Sequence, residues 1–497
     1  MKVISSKPSN QNLKEIEIWA DSFKEGEFIL EQIHKVFGGN NISYEYGFLP
    51  SLITSINSQQ IKFTAFGYYS AWADIPTKIS ELLKFGKCDA IIYDPNKDKI
   101  IFAYEETSAV PTGNQSLQRL ERVWFAAKSL IPFVYLISKF GLHIDGGIRT
   151  ISIWPSYLAL KLSAQYKIPS LTLLYGNEEN PEDYSIGNSY SHLGQLLKWF
   201  LENHLTGTSD KDTLRTLLSE IYKEMCEFIY YHSDSISENL AGKKQLIDKN
   251  FYKFLTELLL DKSSNLNFDS ELKWPNSSKN TKTTTISFNK FILEIEKLIG
   301  QNKAWWPIDG ATTRTEPNTK MSKWIKDQIS HKLKLELKSK SKLNVTMALS
   351  DFPDQNSKKK ITTTSRILIL INSTQDFLQC FEKAFGITKR QNIEKLLDKR
   401  LPVVLYVSNS IHSNGRAFKG DPFTGQITAY SRIFSISLTG KKERNMIAYY
   451  PNQLYSQFFD TDFGKLDNKG IKCLEENIDL IITRNGICID PKHWRLS

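Results

Sequence analysis

The sequence predicts an α/β fold: a mixed sheet flanked by helices, followed by a helical subdomain and a second α/β region. Three observations predict it. Short apolar runs at Ala90 to Tyr93, Ile100 to Tyr104, Phe133 to Ile137 and Ser170 to Tyr175 have the length of buried strands, and stretches of helical period separate the later ones. Apolar runs at Arg366 to Ile371 and Pro402 to Val407 repeat the pattern in the carboxy-terminal half. Strands followed by helices imply a sheet covered on both faces.

Taken in order, Leu13, Ile16, Ile18, Trp19, Phe23, Phe28, Ile29, Ile33 and Val36 fall at roughly helical spacing and stop at Gly38-Gly39, which predicts one helix over Asn12 to Phe37, whole or broken near Gly26. The two runs at 90–93 and 100–104 flank the turn-rich DPNKDK and predict a hairpin. Gln115 to Lys128 and Tyr157 to Gln165 read as helices. From Ser191 to about Leu260 the pattern is helical, with a break after His204 and a fresh start near Asp212. Residues 261–288 are rich in Ser, Asn, Thr and Lys and read as a linker or exposed loop. A short helix from Asn289 to Ile299 follows, and the chain closes on a hairpin, Ile478 to Ile489, around Arg484-Asn-Gly. The expected organisation is 1–190, 191–260, 261–288 and 289–497.

Composition narrows the function classes. A chain of 497 residues exceeds one ordinary core, and 40% hydrophobic content is enough to build several. The 64 Lys and Arg against 54 Asp and Glu leave +10, which favours a polyanionic partner such as nucleic acid. Five cysteines, odd in number and without a CxxC pair, argue against a disulfide framework and a zinc ribbon. None of the eight histidines shows metal-ligand spacing. The amino terminus lacks an apolar signal core and no stretch approaches ~18 apolar residues, so a cytoplasmic protein with no membrane partner is expected.

The chemistry concentrates in CDAIIYDPNKDKIIFAYEETSAVPTGNQSLQRLERVWFAA, from Cys88 to Ala127. Asp89 opens one strand, and Glu105-Glu106 end the next. Hydrolysis of a phosphodiester needs charge neutralisation and a water of lowered pKa, both supplied by Mg2+ held between two carboxylates. Strand alternation puts Glu105 and Thr107 on one face and Glu106 with Tyr104 on the other, so one glutamate enters the site. Glu105 is the preferred ligand beside Asp89, with Glu106 as the other-face alternative. Gln115, Gln118, Arg119 and Arg122 then fall at i, i+3, i+4 and i+7 and form one polar stripe. A solvated acidic turn followed by the wet face of an amphipathic helix would read the same way.

This stretch resembles the PD-(D/E)XK nuclease superfamily, and within it the type II restriction endonucleases. The resemblance spans about 90 residues, roughly Gly86 to Tyr175, and implies a restriction-endonuclease-like core. It maps the metal ligands to Asp89 and Glu105, and the superfamily's lysine to Thr107, where the lysine is absent; Lys84, Lys87 and Lys128 are local candidates for a displaced one. It further implies that Thr107 or such a lysine positions the attacking water, that Gln118 or Arg119 touches the scissile phosphate, and that Arg119 and Arg122 contact double-stranded DNA. Restriction endonucleases usually dimerise, so a homodimer is expected by analogy. An effector nuclease of an antiviral system, gated by a ligand or partner, and a noncatalytic nucleic-acid-binding protein remain the alternative readings.

Two other regions carry weaker signals. Asp479 with Asp490-Pro-Lys492 formally repeats an acidic-x-Lys pattern, but the chain ends too soon to complete such a core. Between Lys303 and Lys342, Trp305, Trp306 and Trp324 lie among many lysines, as on a nucleic-acid surface. Arg416 and Lys419 sit in a Gly-rich loop after the Val403 to Val407 run and are further DNA-binding candidates.

Overall fold

The computed structural model describes residues 13–107, 119–142, 148–232, 366–407, 423–450 and 468–493, apart from short gaps at 152–153, 182, 208–209 and 437–440, together with Phe291, Glu294 and 304–305. The architecture is mixed α/β. In chain order the first half contains β1 (Lys14–Ala20), α1 (Phe23–Phe37), β2 (Ser43–Glu45), β3 (Leu49–Ile56), β4 (Gln59–Phe66), α2 (Thr77–Leu83), β5 (Ala90–Asp94) and β6 (Lys99–Thr107). It continues with α3 (Leu120–Lys128), β7 (Phe133–Ser138), the small pair β8 (Phe140–Leu142) and β9 (Ile148–Thr150), α4 (Trp154–Tyr166), β10 (Ser170–Tyr175), α5 (Ser189–Thr206) and α6 (Lys211–His232).

Eight of these strands form one mixed sheet in the order β10-β7-β6-β5-β1-β4-β3-β2. The hairpin β5–β6 is antiparallel, β7 runs parallel to β6 after the α3 crossover, and β10 runs parallel to β7. Helices cover both faces, so the inner strands carry apolar residues without interruption, as in Ala90 to Tyr93, all buried.

The single helix expected over 12–37 is instead a strand, a cap and a helix. Lys14–Ala20 forms β1, parallel to β4 and antiparallel to β5. Ile16, Ile18, Trp19 and Ala20 are all buried and so is Glu17, so residue type alternates over Glu15-Ile16-Glu17-Ile18 while burial does not. Ser22 then starts α1 through a capping box: Glu25 N donates to Ser22 Oγ at 3.3 Å and Ser22 N to Glu25 Oε2 at 2.6 Å. Gly26 lies inside α1, where an added Cβ would come within 2.9 Å of Ala65 Cβ, so a close helix-to-sheet approach accounts for it.

In the region expected as a helical subdomain, α5 packs on α1, β6 and β10, and α6 on α4 and β10. The described part of 191–260 is therefore a layer of the first sheet, because both helices bury apolar faces that the sheet and its helices cover, Leu193, Leu197, Leu218 and Ile221 among them.

The second half contains β11 (Ala304–Trp305), β12 (Arg366–Ile371), α7 (Thr374–Phe385), α8 (Ile387–Leu396), β13 (Leu401–Val407), α9 (Phe423–Phe434), β14 (Arg444–Tyr450), α10 (Asn468–Asn477), β15 (Leu480–Thr483) and β16 (Cys488–Ile489). Its sheet has the order β11-β12-β13-β14-β15-β16, with β13, β14 and β15 parallel. The closing hairpin turns at Gly486, whose φ of 74° suits glycine.

The two sheets share one apolar cluster through α9, which packs on α3 and α4. The Arg432 guanidinium lies 4.5 Å from the Trp124 ring centroid, and Lys161 Nζ donates to the Ile433 carbonyl at 2.7 Å. Among the described residues no helix is long and apolar enough to cross a membrane. The 261–288 segment, Gln118, Trp306, Trp324, Arg416 and Lys419 lie outside the described residues.

Candidate active site at the open end of the β5–β6 hairpin

Register builds this site. Ala90 pairs with Tyr104 across the hairpin and with Ala20 across β1, so the residues one step further on, Asp89, Glu105 and Asp21, come together at one edge of the sheet. That position lies just past the carboxyl end of β1 and among the last paired residues of β6, where Glu105 stands opposite Tyr135 of β7, towards the end at which α/β sheets hold ligands. Asp21 N donates to the Asp89 carbonyl at 3.1 Å, and Glu106 N donates to Asp89 Oδ2 at 2.6 Å.

The electrostatics are uneven. Burial, then the neighbouring Glu105 charge, pushes the Asp89 carboxyl up to about 8, against the hydrogen bond from Glu106 N. Glu105 is fully buried. Burial raises its pKa from the ordinary carboxylate value while Arg122 and Arg119 pull it down. Arg119 Nη1 reaches Glu105 Oε1 at 2.8 Å and Arg122 Nη1 reaches the same oxygen at 2.5 Å; Arg119 also donates to the Glu106 carbonyl. Burial works against the charge on Arg122, and the Glu105 carboxylate more than restores it.

Two buried oxygens on the same strand face have no hydrogen-bond partner among the described residues: Glu105 Oε2 and Thr107 Oγ1. Glu106 takes the opposite face, where Tyr104 and Tyr184 hydroxyls hold it at 2.9 and 2.6 Å. Glu25, on the first turn of α1, borders the site; burial raises its pKa, with Asp21 and Glu105 adding to the rise.

Of the residues singled out in the sequence, Asp89, Glu105, Thr107, Arg119 and Arg122 meet here. Lys128 instead pairs with Glu476 at 3.0 Å, whereas Lys87 stays at the border of the site, paired with Asp21 at 3.5 Å. Asp21, Glu25 and Gly86 escaped the sequence reading. The Ser22-x-x-Glu25 capping pattern was the available signal for Glu25. Gly86, at φ 140°, lets the Arg122 stem lie on the backbone: an added Cβ would meet Arg122 Cγ at 2.7 Å. At the other end of the chain, Asp479 accepts from Met446 N at 2.8 Å and pairs with Lys442, while Asp490 caps its own turn through Lys492 N at 2.8 Å. Both have structural employment.

Among the described residues no group of three or more His, Cys, Asp or Glu side chains could hold a metal ion. Two carboxylates are nonetheless a fitting donor set for Mg2+, which keeps several waters and completes its shell on substrate phosphate. The partnerless Glu105 Oε2 and the raised Asp89 carboxyl both fit a cation's arrival. No family model, no curated protein and no solved structure matches the chain.

Proposed function

We propose that this chain is a Mg2+-dependent DNA endonuclease of the PD-(D/E)XK kind, acting on double-stranded DNA. The observation that carries the reading is the side-by-side placement of Asp89 and Glu105 by the β5–β6 register, with Asp89 raised to about 8 and Glu105 Oε2 without a partner among the described residues. The strand order supports it: an antiparallel hairpin bearing both acids, a helix crossover, then a parallel strand.

Asp89 and Glu105 would hold the ion, which supplies charge neutralisation on the phosphate oxygens and a water of lowered pKa. Thr107 stands two residues beyond Glu105 on the same face, so its partnerless hydroxyl is the group that orients the attacking water where the superfamily has lysine. Arg119, partly exposed at the start of α3, contacts DNA phosphate. A homodimer matched to two strands accompanies this reading.

The test is incubation of the full chain with long duplex DNA, with Mg2+ and with EDTA. Cleavage requiring Mg2+ and lost in both Asp89→Ala and Glu105→Ala is expected; cleavage retained in both variants would overturn the assignment.

A further inference from the structure

Glu105 receives two guanidiniums on one oxygen, and those two arginines are held very differently. Arg122 belongs to the first turn of α3. Its side chain is 13% exposed, its stem lies on Gly86, and its helix is clasped through Trp124 by Arg432. Arg119 precedes the helix as its cap residue, makes no side-chain cap bond, and is 31% exposed. Sharing Oε1 brings two like charges together, so each weakens the other's hold.

We infer that the pair divides the work: Arg122 is the fixed counter-charge of Glu105, and Arg119 exchanges Glu105 for a phosphate of the nucleic acid, so that cation and phosphodiester enter together. The inference rests on the nuclease reading above and names how that site is regulated. Charge balance motivates it. Glu105 is the one carboxylate that both guanidiniums reach, so a divalent cation entering alone adds two positive charges beside two already gathered on a single carboxylate. A phosphodiester brings negative charge and draws Arg119 away, leaving Glu105 to the ion. Linkage makes the effect reciprocal: the cation must raise phosphodiester affinity by the factor by which the phosphodiester raises cation affinity.

The experiment is titration of the full chain with Mn2+, read by electron paramagnetic resonance, without DNA and with a short duplex oligonucleotide. Without DNA, Arg119→Gln is expected to bind Mn2+ about tenfold more tightly than wild type, within the range of site-to-site couplings. Arg119→Lys, which keeps the charge, should stay near wild type, and adding Asp89→Ala to Arg119→Gln should abolish the gain. The duplex should raise the wild-type affinity by a similar factor and leave Arg119→Gln nearly unchanged. Equal Mn2+ affinity in wild type and Arg119→Gln, with binding lost on Asp89→Ala, would overturn the exchange and leave the metal site standing. A gain shared by Arg119→Lys would also overturn it. If neither wild type nor Arg119→Gln bound Mn2+, with or without duplex, the nuclease reading would fall as well.

Discussion

Asp89 and Asp94 stand at either end of the same short strand, β5, and their carboxyls are driven in opposite directions. Asp94, at the turn end, is fully buried yet completely served: a ring nitrogen of His204 lies 2.7 Å away, Asn96 N and Lys97 N donate to it, and Lys14 Nζ sits at 3.6 Å. Burial pushes its pKa up, but these bonds bring it below the ordinary value. Asp89, at the open end, has one backbone donor and a buried glutamate beside it, and rises to about 8. The fold gives Asp94 the partners that keep it charged and leaves Asp89 with too few to do so, the kind of perturbed carboxyl that gathers at functional sites.

The sharpest way to break this comparison is substitution. Glu105→Gln should cost roughly 100- to 1000-fold in Mg2+-dependent cleavage, the scale on which removing an essential electrostatic group acts. Cleavage rates measured beside melting curves separate this from misfolding. Asp94→Ala should do the reverse: it leaves His204 and two turn amides unserved, which costs about 3 kcal/mol of stability, seen in denaturant midpoints, with cleavage intact at low temperature.

The second contrast lies in the pH dependence of stability without metal. A carboxyl raised from 3.8 to about 8 by folding favours the native state when protonated, and that contribution is lost as pH rises through about 8. Asp89→Asn should therefore gain in melting temperature over wild type between pH 5 and pH 8 and level off above. The gain should be roughly 1–2 kcal/mol, discounted because Asp89 is only part-buried. Asp94, lowered by folding, contributes stability above its unfolded value that is lost only as pH falls below that range, so Asp94→Asn should lose stability throughout pH 5 to 8. Equal pH profiles for the two variants would erase the distinction. The smallest effect expected is that of Gly86→Ala, which crowds Arg122 and should lower stability by ~1 kcal/mol and cleavage by roughly tenfold.

Much of this hairpin was legible in the sequence, for a physical reason. Two apolar runs around a turn of Pro, Asn and Asp give the pairing, and the period of two separates Glu105 from Glu106. The stripe of Arg119 and Arg122 was visible as helical spacing, but spacing gives a face and no target, so the expected contact with DNA concealed the one made with Glu105. β1 was missed although Glu15-Ile16-Glu17-Ile18 alternates, because Ile16, Trp19 and Phe23 also fall at helical spacing and the run is short. Gly86 acts on Arg122, 36 positions away, and no local pattern records such an approach.

The central claim is that Asp89 and Glu105 hold the catalytic cation. It is tested most directly by a crystal structure of the full chain grown with Mn2+ and a duplex oligonucleotide, with anomalous scattering used to place the metal. The expected result is a peak about 2 Å from an Asp89 carboxylate oxygen and from Glu105 Oε2, with Arg119 turned toward a phosphate. A metal bound elsewhere on the chain, or an empty Asp89–Glu105 pair with both arginines still on Glu105 and DNA bound, would contradict it.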